Sequence, residues 1–391
     1  MRNVVVLSAA QALSASGMMT MTLLGGILGS QLAPSPQLAT LPVSLTILGL
    51  ALTTIPAALI MQRVGRRKAF IASALTASLA ALVVAWAIVQ QSFVLLCAAA
   101  LVFGANLAFQ QQHRFAAAES VPPGRVSTAV SVVMIGTLVA AALGPQVALA
   151  LKDLVPGSEY AGSFLGVAAL CVATALVLTR YRPGPMHPSP DASEPMRPLA
   201  EILRQPAYLV AVLAGIVSYA VMSFIMTATP ISMHVHDGHS DAATALVIQS
   251  HLLAMYLPSM FSGVLISRIG VRAGMGSGLV LMAGCIAVDS AGREIMHYWW
   301  GLVLLGVGWN LLFVSGTALL TTTYRPAERF RAQAVNEFSV FGTQAAASLA
   351  AGPAMHALGW TTLNLAALPP MVLLGLALAA WPAQRSRNSR A

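Results

Sequence analysis

The chain has 391 residues, of which 57% are hydrophobic and only 8% charged, with a mean hydropathy of +0.78, whereas soluble domains carry about a quarter charged residues. This excludes water as the solvent of most of the surface, and 391 residues suffice for about twelve membrane crossings of about 20 apolar residues each. The net charge of +9 does not point to a nucleic-acid partner, because the arginines sit in short links between apolar runs and form no basic face.

In chain order, the first apolar run covers residues 4–31, longer than a leader-peptide core, and reads as a retained first span. Runs at 38–61, 69–90, 93–118, 126–150 and 161–180 follow. The segment from Arg180 to Pro206 is rich in proline and charge and cannot cross a bilayer. It reads as a linker in which residues 201–204 begin a short interfacial helix. Six further runs lie at 207–232, 242–266, 273–291, 298–322, 334–357 and 361–381. Runs this uniformly apolar satisfy their backbone as helices, not as the alternating strands of a barrel. The expected fold is an all-α integral membrane protein of twelve transmembrane helices. It divides into a six-helix bundle over 1–180, a linker over 181–206, and a second six-helix bundle over 207–391 with a short basic tail.

With both termini on the cytoplasmic side, only Lys152 and Arg293 fall in outer loops, while QRVGRRK, RYRPG, SRIGVR, YRPAERFR and QRSRNSR are all inner. The positive-inside rule favours that orientation, which implies a multi-pass protein of a bacterial inner membrane. Cys97, Cys171 and Cys285 lie inside apolar runs without metal-like spacing and read as packing residues.

The chain also repeats itself. Arg63, Gly65 and Arg67 recur as Arg268, Gly270 and Arg272, Arg125 as Arg331, Gly136 as Gly342, and Gly144-Pro145 as Gly352-Pro353. Parallel repeats of this kind place a substrate site between two halves near the bilayer midplane. On these residues the sequence resembles the major facilitator superfamily, over its whole length. The superfamily's signature loop reads approximately G-x-L-x-D-R-x-G-R-R. Here Arg63, Gly65, Arg66 and Arg67 match its basic half, while Ala58 and Gln62 stand at the leading glycine and the acidic position. Arg268, Gly270 and Arg272 repeat the basic half, with Ser267 at the acidic position. The resemblance implies that both loops are cytoplasmic gating contacts and that helices 1, 4, 7 and 10 line a central cavity. ALGPQVA resembles the antiporter element of drug exporters, with Ala148 where a glycine completes it. HRFAAAESVPP, MTATPISM and ERFRAQAVNEF resemble a bacterial clade of mostly unassigned substrate, near which riboflavin carriers belong.

Polar residues inside spans cost enough that those retained face a cavity or a partner. On helix 4, Asn106, Gln110 and Arg114 share one helical stripe, which reads as cavity lining with Arg114 as an anchor for an anion, or as an arginine reaching the interface. On helix 7, Tyr219, Ser223 and Thr227 repeat every four residues, and helix 10 carries Trp309-Asn310, an aromatic beside an amide that suits a flat or amphipathic solute. On helix 11, Glu337 is read as the one acidic residue inside a second-half span, either a proton-coupling site or the partner of an arginine such as Arg331. His251 on helix 8 is the second titratable candidate, and its neighbour Gln249 points to another face. The outer segment MHVHDGHSD reads as a loop, not a metal site.

Neither HExxH nor GxSxG occurs, so no enzyme is expected. The reading that results is a secondary transporter of a small, weakly charged organic solute, without cofactor, working by alternating access as a monomer in the lipid bilayer. Proton-coupled export is the first form of this reading. Uptake of a vitamin-like solute such as riboflavin, or a sensor built on a transporter fold, are the alternatives.

Overall fold

The computed structural model describes residues 1–122, 126–182, 196–325 and 328–381, and among these every regular element is helical. Arg125, residues 183–195 of the linker and the tail QRSRNSR lie outside the described residues. The helices are α1 (Arg2–Leu32), α2 (Leu41–Val64), α3 (Arg66–Val89), α4 (Phe93–Gln110), α5 (His113–Ala118), α6 (Val126–Ala150), α7 (Ala161–Leu178) and α8 (Leu199–Leu203). Then come α9 (Pro206–Pro230), α10 (Asp241–Tyr256), α11 (Ser259–Ile269), α12 (Val271–Ala291), α13 (Ile295–Thr321), α14 (Arg329–Ala366) and α15 (Leu368–Ala380).

Ten helical segments are long and apolar enough to cross a membrane, or eleven when α10 and α11, bent by 46° at their break, count as one. The last segment runs 50 residues, from Arg331 to Ala380, against about 20 for one crossing. Gly359, at φ 72° and ψ 174°, interrupts it, and the last two runs expected from the sequence, 334–357 and 361–381, part at this break. The expected helix 4 is likewise interrupted: Gln111 and Gln112 form a turn between α4 and α5. Both keep right-handed helical dihedrals, and Phe93–Ala118 remains a single span.

The first seven helices pack chiefly on one another, α1 on α6 and α7, α3 on α4 and α7, α2 on α4. In the second group α9 packs on α13 and α14, and α13 also on α10 and α12. Small residues set these distances. A Cβ on Gly49 would lie 2.2 Å from the Leu101 carbonyl oxygen, and one on Gly104 2.0 Å from that of Thr46, so α2 and α4 touch backbone to backbone. Outward, large apolar side chains such as Leu52, Val94, Phe261, Val280 and Leu376 are exposed, a surface that lipid covers at no cost.

The start of α1 lies beside the loop after α2, and the end of α15 beside the loop after α11, at the terminal end of the molecule. Gly65 links α2 to α3 at φ 84°, ψ 149°, and Gly270 links α11 to α12 at φ 87°, ψ 154°. The sequence repeat is thus a backbone repeat in a region that side chains avoid. The arginines repeat as well. Arg67 donates from Nη2 to the Thr179 carbonyl just past α7, and Arg272 donates to the Ala379 and Trp381 carbonyls at the end of α15. Each guanidinium satisfies orphan carbonyls at the negative end of a helix. Arg66 meets Glu119 at 2.6 Å, so Glu119 is an acidic partner for a loop that has Gln62 at the usual acidic position. In this conformation these contacts lie within one helix group, not between the two. Arg63 and Arg268 end α2 and α11 and have no hydrogen bond among the described residues.

Short α8, expected from the linker, is seated by buried Ile202. Before it, Arg197 forks onto Glu328 at 2.9 and 2.7 Å. This pairing lowers the Glu328 carboxyl from its ordinary value to about 2 and ties the linker to the turn before α14.

Gly65→Ala and Gly270→Ala should each lower stability by about 1–3 kcal/mol, since only the backbone is strained and nothing lies within 4 Å of the added carbon. Thermal unfolding of the detergent-purified variants measures this. A change within error at both positions would mean that the loops relax to ordinary dihedrals.

Candidate functional site

A cavity of about 190 Å³ lies between the two helix groups. One wall comes from α1, α2, α4 and α6 and the other from α9, α10, α13 and α14, so the four helices expected to line it do so together with α2, α6, α10 and α14. Its centre is aromatic. The Tyr219 ring stands edge-on to Trp309, Phe313 and Phe341 at centroid distances of 5.2, 5.5 and 5.7 Å. Trp309 stacks on Phe313 at 5.0 Å and 14°, and Tyr256 lies 6.1 Å from Trp309. Met18, Met134, Met222, Met226 and Met255 fill the remaining apolar wall with polarisable side chains that adapt to an irregular guest.

Six of the residues picked out from the sequence line this cavity: Gln110, Arg114, Tyr219, Ser223, Thr227 and Trp309. Asn106, Asn310 and His251 do not. Asn106 is held in the first group, donating to Ser14 at 3.2 Å and accepting from Ser73 at 2.7 Å. Asn310 donates to the Met255 carbonyl at 2.8 Å and to the Ser259 hydroxyl, bracing α13 where α10 breaks into α11. His251 is buried with Nδ1 2.7 Å from the Leu302 carbonyl. Gln249 reaches the Ala142 carbonyl, across to the other helix group, at 3.4 Å. All three cysteines are buried and unpaired.

Sequence reasoning passed over part of the wall. Gln11 of α1 bonds Thr137 at 3.1 Å and lies 2.9 Å from His113 Nδ1; with Thr22 and Gln111 it adds polar surface on the first-group side. Phe313 and Phe341 belong to helices already suspected, but nothing local marks them as members of one cluster. Asp289 of α12 is a second buried acid inside a second-half span, contrary to the expectation of Glu337 alone. It is 1% exposed and accepts from Cys285 Sγ at 3.4 Å, away from the cavity.

Glu337 lines a smaller cavity with Arg114, Gln111, Gln112 and Thr54. Arg114 thus borders both spaces, with its guanidinium 4.8 Å over the Phe115 ring. Neither Arg114 nor Glu337 belongs to an ion pair among the described residues, and Arg331 does not bind Glu337 there.

Every side-chain hydrogen bond between the two groups, among the described residues, lies in the half of the molecule away from the termini. Ser44 and Ser348 meet at 2.8 Å, and Ser348 also meets Thr227 at 3.1 Å, chaining α2 to α14 and α9. At the far surface, Asp241 Oδ2 accepts from Lys152 Nζ at 3.0 Å and from the Tyr160 hydroxyl at 2.9 Å. The bonds of Lys152 to Asp241 and Glu159 raise its ammonium above the ordinary value, so the latch keeps its cation at neutral pH and loses it only in strong alkali. The histidines of MHVHDGHSD brace the same end, but the segment is not wholly the expected loop, since Ile231–His236 form a π-helix that carries His234 and His236. His234 Nδ1 bonds the His239 carbonyl, and His239 Nε2 that of Arg293, while Asp237 accepts from Tyr298 at 2.6 Å. The molecule is closed at the end away from its termini.

A family model described as Major Facilitator Superfamily matches residues 6–248. The Riboflavin transporter RfnT of Brucella anthropi is 43% identical over 374 residues, covering 95% of this chain and 94% of that protein. An uncharacterized MFS-type transporter of Bacillus subtilis, YdeG, is 31% identical over 347 residues, covering 85% and 80%. Among solved structures, a bacterial homolog of the human lysosomal transporter Spinster, inward-facing and unoccupied, has a TM-score of 0.72 at 15% identity, covering 96% of this chain and 95% of that one. An auto-inhibited POT family peptide transporter has a TM-score of 0.71 at 12% identity, covering 100% and 99%. At these identities the two structures speak to the fold alone.

The latch makes a prediction. In a protein whose native cysteines are replaced by serine, a cysteine put at Ser44 should be shielded, and Asp241→Asn should raise its labelling rate by a maleimide severalfold. Equal rates with and without the substitution would show that the Lys152–Asp241 contact does not hold the far end shut.

Proposed function

The chain belongs to the major facilitator superfamily, and on that premise we propose that it carries riboflavin, or a close flat heteroaromatic relative, across the bacterial inner membrane by alternating access. The observation that carries this reading is the aromatic cluster in the cavity, where Tyr219 meets three rings edge-on and Trp309 stacks on Phe313. Aromatic faces and edges favour a flat ring over an aliphatic solute by about 0.5–1.5 kcal/mol per contact. Riboflavin is neutral near pH 7 and joins a planar ring system to a hydroxylated chain. The cavity offers the complementary mixture, an apolar wall with Gln11, Gln110, Ser223 and Thr227 for hydroxyl groups and Arg114 as the single cation on its wall. The name of the relative that is 43% identical along nearly the whole chain supports the same solute.

Twelve crossings, two six-helix halves joined by the linker and both termini in the cytoplasm complete the proposal, with the far-end closure corresponding to an inward-facing state. The direction we favour is uptake. The case for export drew on Gly144-Pro145, but a Cβ on Gly144 would lie 2.5 Å from Met19 Cβ and 2.7 Å from the Ser16 carbonyl oxygen. Close packing of α6 on α1 therefore accounts for that glycine without any statement about direction. For coupling, a proton on Glu337 is the mechanism we carry forward, because the carboxyl borders a cavity shared with a cation from the opposite half.

Proteoliposomes test this with labelled riboflavin and an imposed inward proton gradient. The wild-type protein should accumulate the vitamin, Tyr219→Ala should weaken its apparent affinity about tenfold or more, and Glu337→Gln should remove the response to the gradient. A folded wild-type protein that moves no riboflavin in either direction would overturn the solute assignment. Undiminished gradient stimulation in Glu337→Gln would overturn the coupling site.

A further inference from the structure

Three buried polar atoms on the wall of the central cavity lack any protein partner among the described residues: the indole N–H of Trp309, the side-chain carbonyl oxygen of Gln344 and Nε–H of Arg114. Trp309 is 3% exposed and Gln344 9%. A buried donor or acceptor left unmet costs about 1–3 kcal/mol, and such groups call for a specific explanation. Orphan atoms occur elsewhere, on Trp360, Asn364 and Asn310 for example, but those are enclosed in helix contacts. The three above belong to residues that line the cavity, where a turn of the side chain presents them to a bound molecule.

Their types define the molecule's edge. Trp309 and Arg114 can only donate, and the Gln344 carbonyl can only accept. The complement is an edge with two acceptors and a donor, carried by a ring flat enough for the aromatic cluster beside it. A cyclic imide, C(=O)–N(H)–C(=O), has that pattern and no charge. A carboxylate accepts only, so it would leave the Gln344 carbonyl unmet. We propose, resting on the flavin-type reading above, that the site recognises its solute by a cyclic imide edge, with Gln344 taking the imide N–H and Trp309 and Arg114 donating to the flanking carbonyls. The hydroxylated chain then lies toward Gln110, Ser223 and Thr227, and selectivity among flat rings is set by the imide.

The test is a binding series on the detergent-purified full chain, read by tryptophan quenching or thermal shift. The probes are riboflavin, 3-methylriboflavin, lumazine, 3-methyllumazine and acridine-9-carboxylate. Methylation of the imide nitrogen should weaken riboflavin binding at least about tenfold. Gln344→Leu should weaken riboflavin by a similar factor and 3-methylriboflavin less than about threefold, since the deleted contact is already absent. Trp309→Phe, which keeps the ring and drops the N–H, should weaken both. Equal binding of riboflavin and its 3-methyl form by the wild-type protein would overturn the proposal, and this comparison does not depend on any variant folding. So would equal losses for both in Gln344→Leu. If lumazine binds and neither riboflavin nor 3-methyllumazine does, the imide edge stands and the riboflavin assignment falls. If acridine-9-carboxylate alone binds, both fall.

Discussion

Hydrocarbon offers no hydrogen bond, and the arrangement of this protein follows from where its polar groups find partners instead. Serine and threonine side chains along the spans return to carbonyls one turn back, as Thr46 does to Pro42 and Thr54 to Leu50. Where α7 and α15 end and their last carbonyls are orphaned, Arg67 and Arg272 arrive from neighbouring helices. Others bond across the interface between the helix groups, as Ser44 does with Ser348. The cavity lies at that same interface, with Trp309, Gln344 and Arg114 in its lining each keeping one polar atom unpaired among the described residues.

The same constraint explains the asymmetry between the two ends. Far from the termini, small hydroxyls and the Lys152–Asp241–Tyr160 cluster join the halves. At the terminal end, the charged groups bond within their own half. Arg66 with Glu119 and Arg67 with Thr179 consolidate the first group, while Arg272 with the end of α15 and Arg197 with Glu328 consolidate the second. Two helix groups that share side-chain bonds at one end only can separate at the other, which is what the proposed rocking about a central site requires. The superfamily's acidic loop residue is replaced by Gln62, and Glu119 supplies a carboxylate from the end of α5.

Much of this was legible in the sequence, for identifiable reasons. Uniform apolar runs leave helix as the only backbone solution, and the paired glycines at 65 and 270 announce a repeated backbone conformation that few other residues adopt. Tyr219, Ser223 and Thr227 share a face by simple periodicity, and that face does line the cavity. Periodicity states which residues share a face but not what the face meets. Asn106 and Asn310 therefore look like cavity residues from their spacing, yet each braces its own helix group. A break such as Gln111-Gln112 is also invisible to hydropathy, which reads the whole of 93–118 as one span. The aromatic cluster draws on positions 219, 256, 309, 313 and 341, brought together only by tertiary packing, and no local pattern links them.

The two carboxyl groups inside second-half spans separate by access. Asp289 is enclosed between α12 and α13, its oxygen where a Cβ on Gly301 would lie, with a thiol as its hydrogen-bond partner. It is 1% exposed and belongs to no ion pair among the described residues. Glu337 borders a cavity that also contains Arg114 of the opposite half, with two glutamines and a threonine between. Coupling requires a group whose exposure and whose charged neighbour both change as the halves move. In the proposed cycle, closing the terminal end would bring α5 and α14 together and shorten the distance from Arg114 to Glu337, and opening it again would separate them and leave the carboxyl free to take a proton. The residue suited to coupling is thus the one that is incompletely satisfied and lies between the moving halves, whereas the more deeply buried acid is fixed within one of them.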